Sequence, residues 1–186
     1  VPGFHEGSAW NYAYYIPHDI KGLSKLMGGK KKFVDQLQMV FDKGYYDMAN
    51  EPDIAYPYLF NYFKGEEWRT QKEVTRLINK YFTNTPGGLP GNDDCGTMSA
   101  WLIYSMMGFY PVCPGDMNYA LTTPVFDKIT IQLDPKYYKS AELIIEKKST
   151  VTGTAPVQQI TVDGRKLDRF FISHDQLTGS KRLVYK

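Results

Sequence analysis

The feature that most constrains the fold is a change in the hydrophobic period near residue 108. In the segment 66–82, apolar side chains recur at helical spacing and form one stripe: Val74, Leu77, Ile78, Tyr81 and Phe82. In residues 129–133, isoleucine and leucine alternate with threonine and glutamine, which is typical of a half-buried strand. We therefore predict an α+β protein in which helices precede strands.

Glycine and proline positions delimit further predicted helices in the first part. A short helix should run to Leu26 and end at Gly28-Gly29, where glycine readily takes the left-handed closing conformation. Pro52 suits the first position of the helix that we predict over residues 53–63. We predict helical structure over residues 8–16, from Lys30 to about 43, over 53–63 and over 95–107.

The second part reads as short strands separated by turns. Asp163-Gly164 is a strong signal for a two-residue hairpin turn. Besides the segment around residue 130, we predict strands over 118–122, 142–147, 158–163, 168–173 and 181–185. The predicted domains are residues 1–108 and 109–186.

Composition excludes several classes of protein. Hydrophobic residues make up 42% of the chain, which is enough for a core, and 22 basic against 20 acidic residues leave a net charge of +2. Lys30, Lys31 and Lys32 fit a solvated helix start better than a nucleic-acid patch, so we predict no nucleic-acid partner. No apolar run approaches the roughly 18 residues of a membrane span.

Cysteine usage and the first residue bear on the environment of the chain. Cys95 and Cys113 are too few for a disulfide framework, and we predict free thiols. The sequence begins at Val1 without a signal-like segment, so we expect it to be a piece of a longer protein.

The conspicuous polar residues fall at predicted helix ends. They are His5-Glu6, His18-Asp19, Asn50-Glu51 with Asp53, and Asn92-Asp93-Asp94. In an antiparallel bundle every second connection lies at the same end, so these loops can converge on one site.

Each of these residues also has a structural interpretation. Asp94 could be the N-cap of the helix that follows it, and Ser8 or Glu6 could cap the first helix. Asp53 could interact with the dipole of the helix it opens, and His18 could be a hydrogen-bonded core histidine.

The loops nevertheless carry more carboxylates than caps require, and aromatic residues flank them: Trp10, Tyr12, Tyr14, Tyr56 and Trp101. Paired carboxylates beside aromatic rings suggest hydrolysis of a glycosidic bond, in which one acid protonates the leaving oxygen. Oxygen ligands without a thiolate or histidine set favour calcium over zinc.

Several longer strings resemble glycoside hydrolase family 92. They are HEGSAWNYAYYIPHD (5–19), GLSKLMGGKKKF (22–33), NEPDIAYPYLFNYF (50–63), WRTQKEVTRLI (68–78), TPGGLPGNDDCGTMSAWLIYSMMGFYPVCPG (85–115) and TTPVFDKITIQL (122–133). The similarity is dense from His5 to about Leu133 and thin afterwards.

The resemblance implies a calcium-dependent, inverting, exo-acting α-mannosidase that acts on glycans or mannan. It implies the C-terminal half of an (α/α)6 barrel followed by a small antiparallel, β-sandwich-like region. The partner of this chain would be an N-terminal β-sandwich domain of the same protein, which supplies part of the sugar pocket. A periplasmic or secreted location follows by analogy.

Matched by motif, the resemblance makes Glu6 the general acid and Asp94 the general base, with Asn92 positioning the water. Asn50 and Glu51 match residues next to the calcium and the mannose. The remaining substrate-binding assignments are Trp10, His18, Asp19, Glu51 and Asp93.

One departure from the family concerns linkage. Members acting on α-1,2 linkages often carry His-Glu where this chain has Met48-Ala49, so α-1,3, α-1,4 or another α-linkage is at least as well supported. A non-catalytic carbohydrate-binding or scaffold fragment, inactive without the missing domain, is the main alternative function. A lyase would need a Tyr or His base and lacks motif support.

Overall fold

The computed structural model describes residues 3–148 and 156–186. The chain divides into two compact units, Val1–Leu102 and Ile103–Lys186. Helices dominate the first unit and strands dominate the second, so the chain is a mixed α and β protein.

Seven α-helices and two 3₁₀ turns lie in the described residues. The α-helices are α1 (Ala9–Tyr12), α2 (Ile20–Leu26), α3 (Lys30–Asp42), α4 (Glu51–Ile54), α5 (Glu67–Tyr81), α6 (Thr97–Met107) and α7 (His174–Gly179); the 3₁₀ turns are Tyr56–Tyr62 and Asp94–Gly96. None of these helices is both long and apolar enough to cross a membrane.

Helices α2, α3 and α5 confirm predictions made from spacing and glycine. α2 ends ahead of Gly28 and Gly29, which have φ values of 95° and 96°. The predicted apolar face of α3 is buried, and Val74 and Leu77 of α5 are buried as well. Burial of one face fixes each helix against the rest of the first unit.

Two helix predictions are wrong in extent. The helix predicted over 8–16 is a single turn, α1. The helix predicted over 53–63 is replaced by α4 and the 3₁₀ segment Tyr56–Tyr62. Pro57 explains the second difference, because proline cannot donate a backbone hydrogen bond and disfavours the α conformation of the residue before it.

The core of the first unit is strongly aromatic. Tyr56 donates its hydroxyl to Asn11 O at 2.7 Å and accepts from Tyr14 N at 3.1 Å. Trp101 is fully buried and donates Nε1 to Ile54 O at 2.8 Å. These bonds satisfy the polar ends of Tyr56 and Trp101, whereas the hydroxyl of the buried Tyr14 has no hydrogen-bond partner among the described residues.

Eight strands form two sheets in the described part of the second unit. They are β1 (Phe109–Tyr110), β2 (Asn118–Leu121), β3 (Lys128–Gln132), β4 (Glu142–Lys147), β5 (Ile160–Val162), β6 (Arg165–Lys166), β7 (Phe171–Ser173) and β8 (Arg182–Tyr185). One sheet has the order β1-β2-β7, and the other has the order β3-β4-β8-β5-β6.

The sheet pattern confirms most strand predictions and adds elements. Val162 pairs with Arg165 across the predicted Asp163-Gly164 turn, whose φ values are 46° and 81°. β4 pairs with β8 in parallel, whereas the other described pairings are antiparallel. Strands β1 and β6 and helix α7 were not predicted. The barrel assignment of the helical part stays a prediction.

Candidate active site

Two adjacent carboxylates at the start of α6 have different surroundings. Asp93 accepts from Ser99 N at 2.9 Å through Oδ1, and its Oδ2 accepts a short hydrogen bond from the Ser99 hydroxyl. Both bonds lower the pKa of Asp93 below its usual value. Asp93 therefore stabilises the first turn of α6.

Asp94 is exposed, and its carboxylate has no hydrogen-bond or ion-pair partner among residues 3–148 and 156–186. Its backbone carbonyl accepts from the Thr97 hydroxyl at 2.6 Å. The structural interpretation of Asp94 as the side-chain cap is wrong, because Asp93 fills that role. Cys95, which follows, has a left-handed φ of 52°. Only Asp93 is bound to Ser99, so Asp94 remains available to a ligand.

Glu6 lies in a second unusual turn. Its φ is 51°, and its side chain is 75% exposed, with Oε1 3.6 Å from His5 Nε2. The cap of α1 is formed by Ser8, whose backbone N and Oγ both donate to Asn11 Oδ1 at 2.8 and 2.7 Å. Glu6 is therefore not needed as a cap. Left-handed conformations of non-glycine residues concentrate at functional sites.

Short contacts join the Glu6 turn to the segment that follows α3. Asn50, which is buried, donates Nδ2 to Glu6 O at 2.6 Å. A Cβ placed on Gly7 would lie 3.2 Å from the same Asn50 nitrogen. The two segments therefore contact each other tightly, and Asn50 holds the backbone of Glu6.

The same segment also contacts the loop that carries Asp94. A Cβ on Gly91 would lie 2.8 Å from Ala49 Cβ, closer than side-chain atoms approach in proteins. Glycine is required there for the backbone to come so near. Ala49 precedes Asn50, so one short segment touches the loops of both Glu6 and Asp94.

Aromatic residues surround the Glu6 turn. Trp10 stacks on Tyr45 with ring centroids 5.2 Å apart, and Phe4 stacks on Tyr12 at 5.8 Å. All four rings keep part of their surface exposed. Tyr12 also donates its hydroxyl to His5 O at 2.6 Å. Exposed rings next to carboxylates suit the binding of a sugar, which has both apolar and hydroxyl faces.

His18 and Asp19 are placed differently from the other predicted site residues. Both are exposed, so the interpretation of His18 as a core histidine is wrong. Asp19 accepts from Gly22 N at 2.8 Å and caps α2. No hydrogen bond or ion pair within the described residues joins either residue to Glu6, Asn50 or Asp94.

Asp53 is a residue whose environment the sequence did not reveal. It is fully buried, and its Oδ2 accepts from Asn11 Nδ2 at 2.7 Å and from Asp47 N at 2.8 Å. Burial raises the pKa of Asp53 to about 7, against the opposing effect of these hydrogen bonds. Its position in NEPD, directly after the Asn50-Glu51 motif, was the available signal.

The positions that carry His-Glu in some family members are occupied differently here. Met48 is 1% exposed, and its sulfur accepts from the Tyr46 hydroxyl at 3.1 Å. Ala49 is half-buried against Gly91. Neither side chain offers a polar group to a second sugar.

The side chains of Asn50 and Glu51 each have an oxygen atom that could bind calcium. The Asn50 nitrogen is used on Glu6 O, so its oxygen faces away from that bond and remains available, and Glu51 is half-buried with a free carboxylate in the described residues. Calcium takes about six to eight oxygen ligands. The described residues hold no group of three or more His, Cys, Asp or Glu side chains suited to a metal ion, so these two would be part of a larger set.

Comparison with protein families gives a match over the whole chain. The model of the glycosyl hydrolase family 92 catalytic domain matches residues 1–186. The chain belongs to glycosyl hydrolase family 92. It is therefore a member of a glycosidase family, as the sequence motifs predicted.

Individual relatives agree with the family 92 assignment. The chain is 30% identical over 171 residues to an uncharacterized secreted glycosidase from Arthroderma benhamiae, which covers 92% of this chain and 22% of the relative. Its structure is similar to the family 92 α-mannosidase BT3965 from Bacteroides thetaiotaomicron, with 31% identity, a TM-score of 0.86 and coverage of 97% and 24%.

A second solved structure is the inverting mannosidase BT2199 from the same organism, with 28% identity, a TM-score of 0.84 and coverage of 98% of this chain and 27% of that one. The chain thus spans about a quarter of the length of these family 92 relatives.

Proposed function

We propose that this chain is the site-bearing C-terminal portion of an exo-acting, inverting α-mannosidase that removes terminal mannose from glycans or mannan. The observation that carries the proposal is the difference between the two aspartates at the start of α6. Asp93 caps the helix, and Asp94 is left exposed on a loop packed against the segment that binds the Glu6 turn.

Glu6 is the general acid in this proposal. A departing glycosidic oxygen needs a proton, and an accessible carboxyl on a conformationally fixed turn can deliver it. Asn50 holds the Glu6 backbone, which limits the positions that the carboxyl can reach. Binding of the substrate beside the exposed rings would exclude water from the reacting groups.

Asp94 is the general base. Its carboxylate has no competing partner in the described residues, so it can accept a proton from a water molecule. Asn92, which is exposed two residues earlier, would orient that water through its amide. Inversion requires the carboxyls of Glu6 and Asp94 on opposite faces of the sugar, roughly 6.5 to 9.5 Å apart.

The remaining assigned residues would bind the sugar. Trp10 offers a partly exposed ring, and Glu51, His18 and Asp19 offer polar groups to hydroxyls. Each Asp93 oxygen accepts one bond from Ser99 and retains capacity for a sugar hydroxyl.

Calcium is part of the proposal. Asn50 and Glu51 would each give an oxygen ligand, and the other ligands would come from backbone, water, substrate or the rest of the protein. When bound, calcium would fix hydroxyl groups of the mannose in a reactive arrangement. The buried Met48 and small Ala49 favour an α-1,3, α-1,4 or other linkage over α-1,2.

The proposal extends to the natural protein that contains this chain. Helices of the first unit would form half of an (α/α)6 barrel, and an N-terminal β-sandwich would supply the missing wall of the pocket. The enzyme would act in the periplasm or outside the cell, where glycans are met. The secreted relative supports that location.

The test uses the natural protein with single amide substitutions. Glu6→Gln and Asp94→Asn should each lower kcat on an α-linked mannobiose by about 10²–10⁴-fold, the usual contribution of a general acid or base. The matched control is Asp168→Asn, an exposed acid of the second unit, which should leave kcat unchanged. NMR of the first product should show the β-anomer.

Three results would overturn the proposal. They are an unchanged rate in either amide variant, an α-configured first product, or sugar binding without any hydrolysis. The last result would instead support a non-catalytic carbohydrate-binding protein.

A further inference from the structure

We propose that Asp53 is the positioning residue that keeps Glu6 aligned for protonation of the leaving group. The inference rests on the proposed role of Glu6 as general acid. Glu6 still donates the proton, and Asp53, which is fully buried, holds Glu6 in place. Asp53 acts through Asn11 and through the backbone of the 47–50 segment.

The bonds of Asp53 reach the Glu6 turn by two routes. On one route, Asp53 Oδ2 accepts from Asn11 Nδ2 at 2.7 Å, and Asn11 Oδ1 accepts from both donors of Ser8. Ser8 lies two residues after Glu6. Asn11 thus has its amide held at both ends, since its Nδ2 donates to Asp53 and also to Tyr45 O at 3.2 Å, and Asp53 supports the α1 cap that follows the Glu6 turn.

On the second route, the same Oδ2 accepts from Asp47 N at 2.8 Å. Asp47 Oδ1 in turn accepts from Ala49 N at 2.9 Å, and Asn50 follows with its bond to Glu6 O. One carboxylate oxygen therefore organises both segments that hold the candidate acid.

A purely structural role does not explain why this residue is an acid. Asp53 Oδ1 is buried and has no hydrogen-bond partner within the described residues, which is costly for a carboxylate. Glu73 is equally buried but bonds Gln38 Nε2 at 3.0 Å and Arg76 Nε at 2.6 Å with its two oxygens. Of these two buried acids, Glu73 has hydrogen bonds to both carboxylate oxygens and Asp53 to only one.

A helix-dipole role is also too small to account for Asp53. Helix α4 has four residues, Glu51–Ile54, so few peptide dipoles add along its axis. Acceptance of two fixed donors at the junction of two loops is the function that the geometry supports. Costly buried polar groups are retained where a site must be held in one arrangement.

Loss of Asp53 should affect the hydrolysis of some substrates more than others. A misplacement of about 1 Å at a reacting group can cost about 10²-fold in rate. If Asp53 positions Glu6, its loss affects the step that requires a proton from Glu6. An aryl α-mannoside with an acidic phenol as leaving group needs little protonation, whereas α-linked mannobiose needs it fully.

The experiment compares these two substrates in the natural protein. Asp53→Ala should lower kcat on mannobiose by about 10²-fold with little change in KM, and should lower it far less on the activated aryl mannoside. Asp53→Asn should restore part of the loss, because one amide oxygen can still accept both bonds. Ser8→Ala, which removes one bond of the first route, should show the same selectivity more weakly.

Glu73→Gln is the matched control. It alters the other fully buried acid of the same unit and should lower thermal stability without changing the ratio of the two rates. Should Asp53→Ala fail to fold, Asp53→Asn and Ser8→Ala carry the test. Equal losses on both substrates in these two variants, or the same selectivity in Glu73→Gln, would overturn the inference.

Glu6→Gln separates the two proposals. If it loses mannobiose hydrolysis and keeps aryl mannoside hydrolysis while the Asp53 variants are unselective, only the positioning role fails. If Glu6→Gln is itself unselective, the general-acid assignment fails.

Discussion

The two compact units differ in the polar side chains that they bury. In the described residues of the first unit, the buried polar set includes amides and acids: Asn11, Ser24, Gln38, Asn50, Asp53, Asn61, Thr70, Gln71 and Glu73. In those of the second unit it consists of hydroxyl residues alone: Ser105, Thr122, Ser140, Thr161 and Ser180. A hydroxyl is easily satisfied, whereas an amide or acid needs several partners.

The difference indicates what each unit does. The second unit has a continuous apolar core that includes Leu121, Ile145 and Leu183. Burial of these side chains stabilises the fold of the unit. The first unit accepts a polar interior to hold loops in defined positions. The polar interior of the first unit fits the candidate site proposed there, and the apolar core of the second unit fits a role in stability.

Backbone conformation supports the same contrast. Among the described non-glycine residues with left-handed φ, Glu6 and Cys95 lie in the first unit beside candidate catalytic groups. The third, Asp163, lies in the hairpin turn of the second unit, where its carboxylate accepts from Lys181 N at 3.1 Å and Arg182 N at 2.9 Å. That residue is explained by its turn, and the first two are not.

The largest expected effect separates Asp94 from Asp93. Asp94→Ala should lower kcat by about 10²–10⁴-fold with an unchanged urea midpoint, because it removes the base and no structural bond. Asp93→Ala should lower the midpoint, because α6 loses its cap, with a smaller loss of rate. Equal losses of kcat in the two variants would contradict the assignment of Asp93 as the helix cap and Asp94 as the base.

The next effect tests the second unit. Leu183→Ala should reduce the free energy of unfolding by about 2–5 kcal/mol, since the side chain is fully buried in the core. The kcat of the folded protein should stay unchanged. Met117→Ala, at a side chain 60% exposed, is the control and should have little effect in urea denaturation. A large loss of kcat in folded Leu183→Ala would contradict the assignment of this unit to stability.

A smaller effect concerns one buried hydroxyl. Tyr185 donates to Gly108 O at 2.9 Å, and burial raises its pKa, so the hydroxyl remains a donor throughout the ordinary pH range. Tyr185→Phe removes this bond, while Gly108 O keeps the bond that it accepts from Thr122 N at 2.8 Å, and the substitution should cost about 1 kcal/mol of unfolding free energy. Tyr137→Phe, 70% exposed, should cost nothing measurable by the same assay.

The smallest effect is a titration shift in the first unit. The hydroxyl and N–H of Ser99 lower the pKa of Asp93, so their stabilisation is present above the unfolded pKa and is lost as pH falls through the folded one. Ser99→Ala removes the hydroxyl, and the pKa of Asp93 should rise toward its ordinary value in an NMR titration. An unshifted value would show that the backbone bond suffices.

Regular elements were predictable because their own side chains determine them. Phe33, Leu37 and Val40 lie on one face of α3, and that face is buried wherever the helix packs. The alternation in β3 likewise appears as half-buried and exposed positions. The segment after α4 has helical periodicity but forms a 3₁₀ helix, because Pro57 cannot donate a backbone hydrogen bond.

The motifs allowed Glu6, Asn50 and Asp94 to be proposed as site residues, but the hydrogen-bond partners of the candidate site could not be predicted. Asp93 and Asp94 have the same side chain, and either could have capped the helix. What distinguishes them is the pair of hydrogen bonds that Ser99 donates to Asp93, which the sequence alone does not report. Asp53 accepts a hydrogen bond from Asn11, which lies 42 residues away in sequence, and no local pattern predicts such a contact.

The close approach of Gly91 to Ala49 has a consequence for enzyme engineering. A longer side chain at position 49, introduced to recognise another sugar, would start from an atom already pressed against the loop that ends in Asp94. Changing which glycan is accepted would then also move Asp94, the proposed general base. A substitution at position 49 should therefore change both substrate selectivity and kcat. Libraries that vary position 49 should vary position 91 with it.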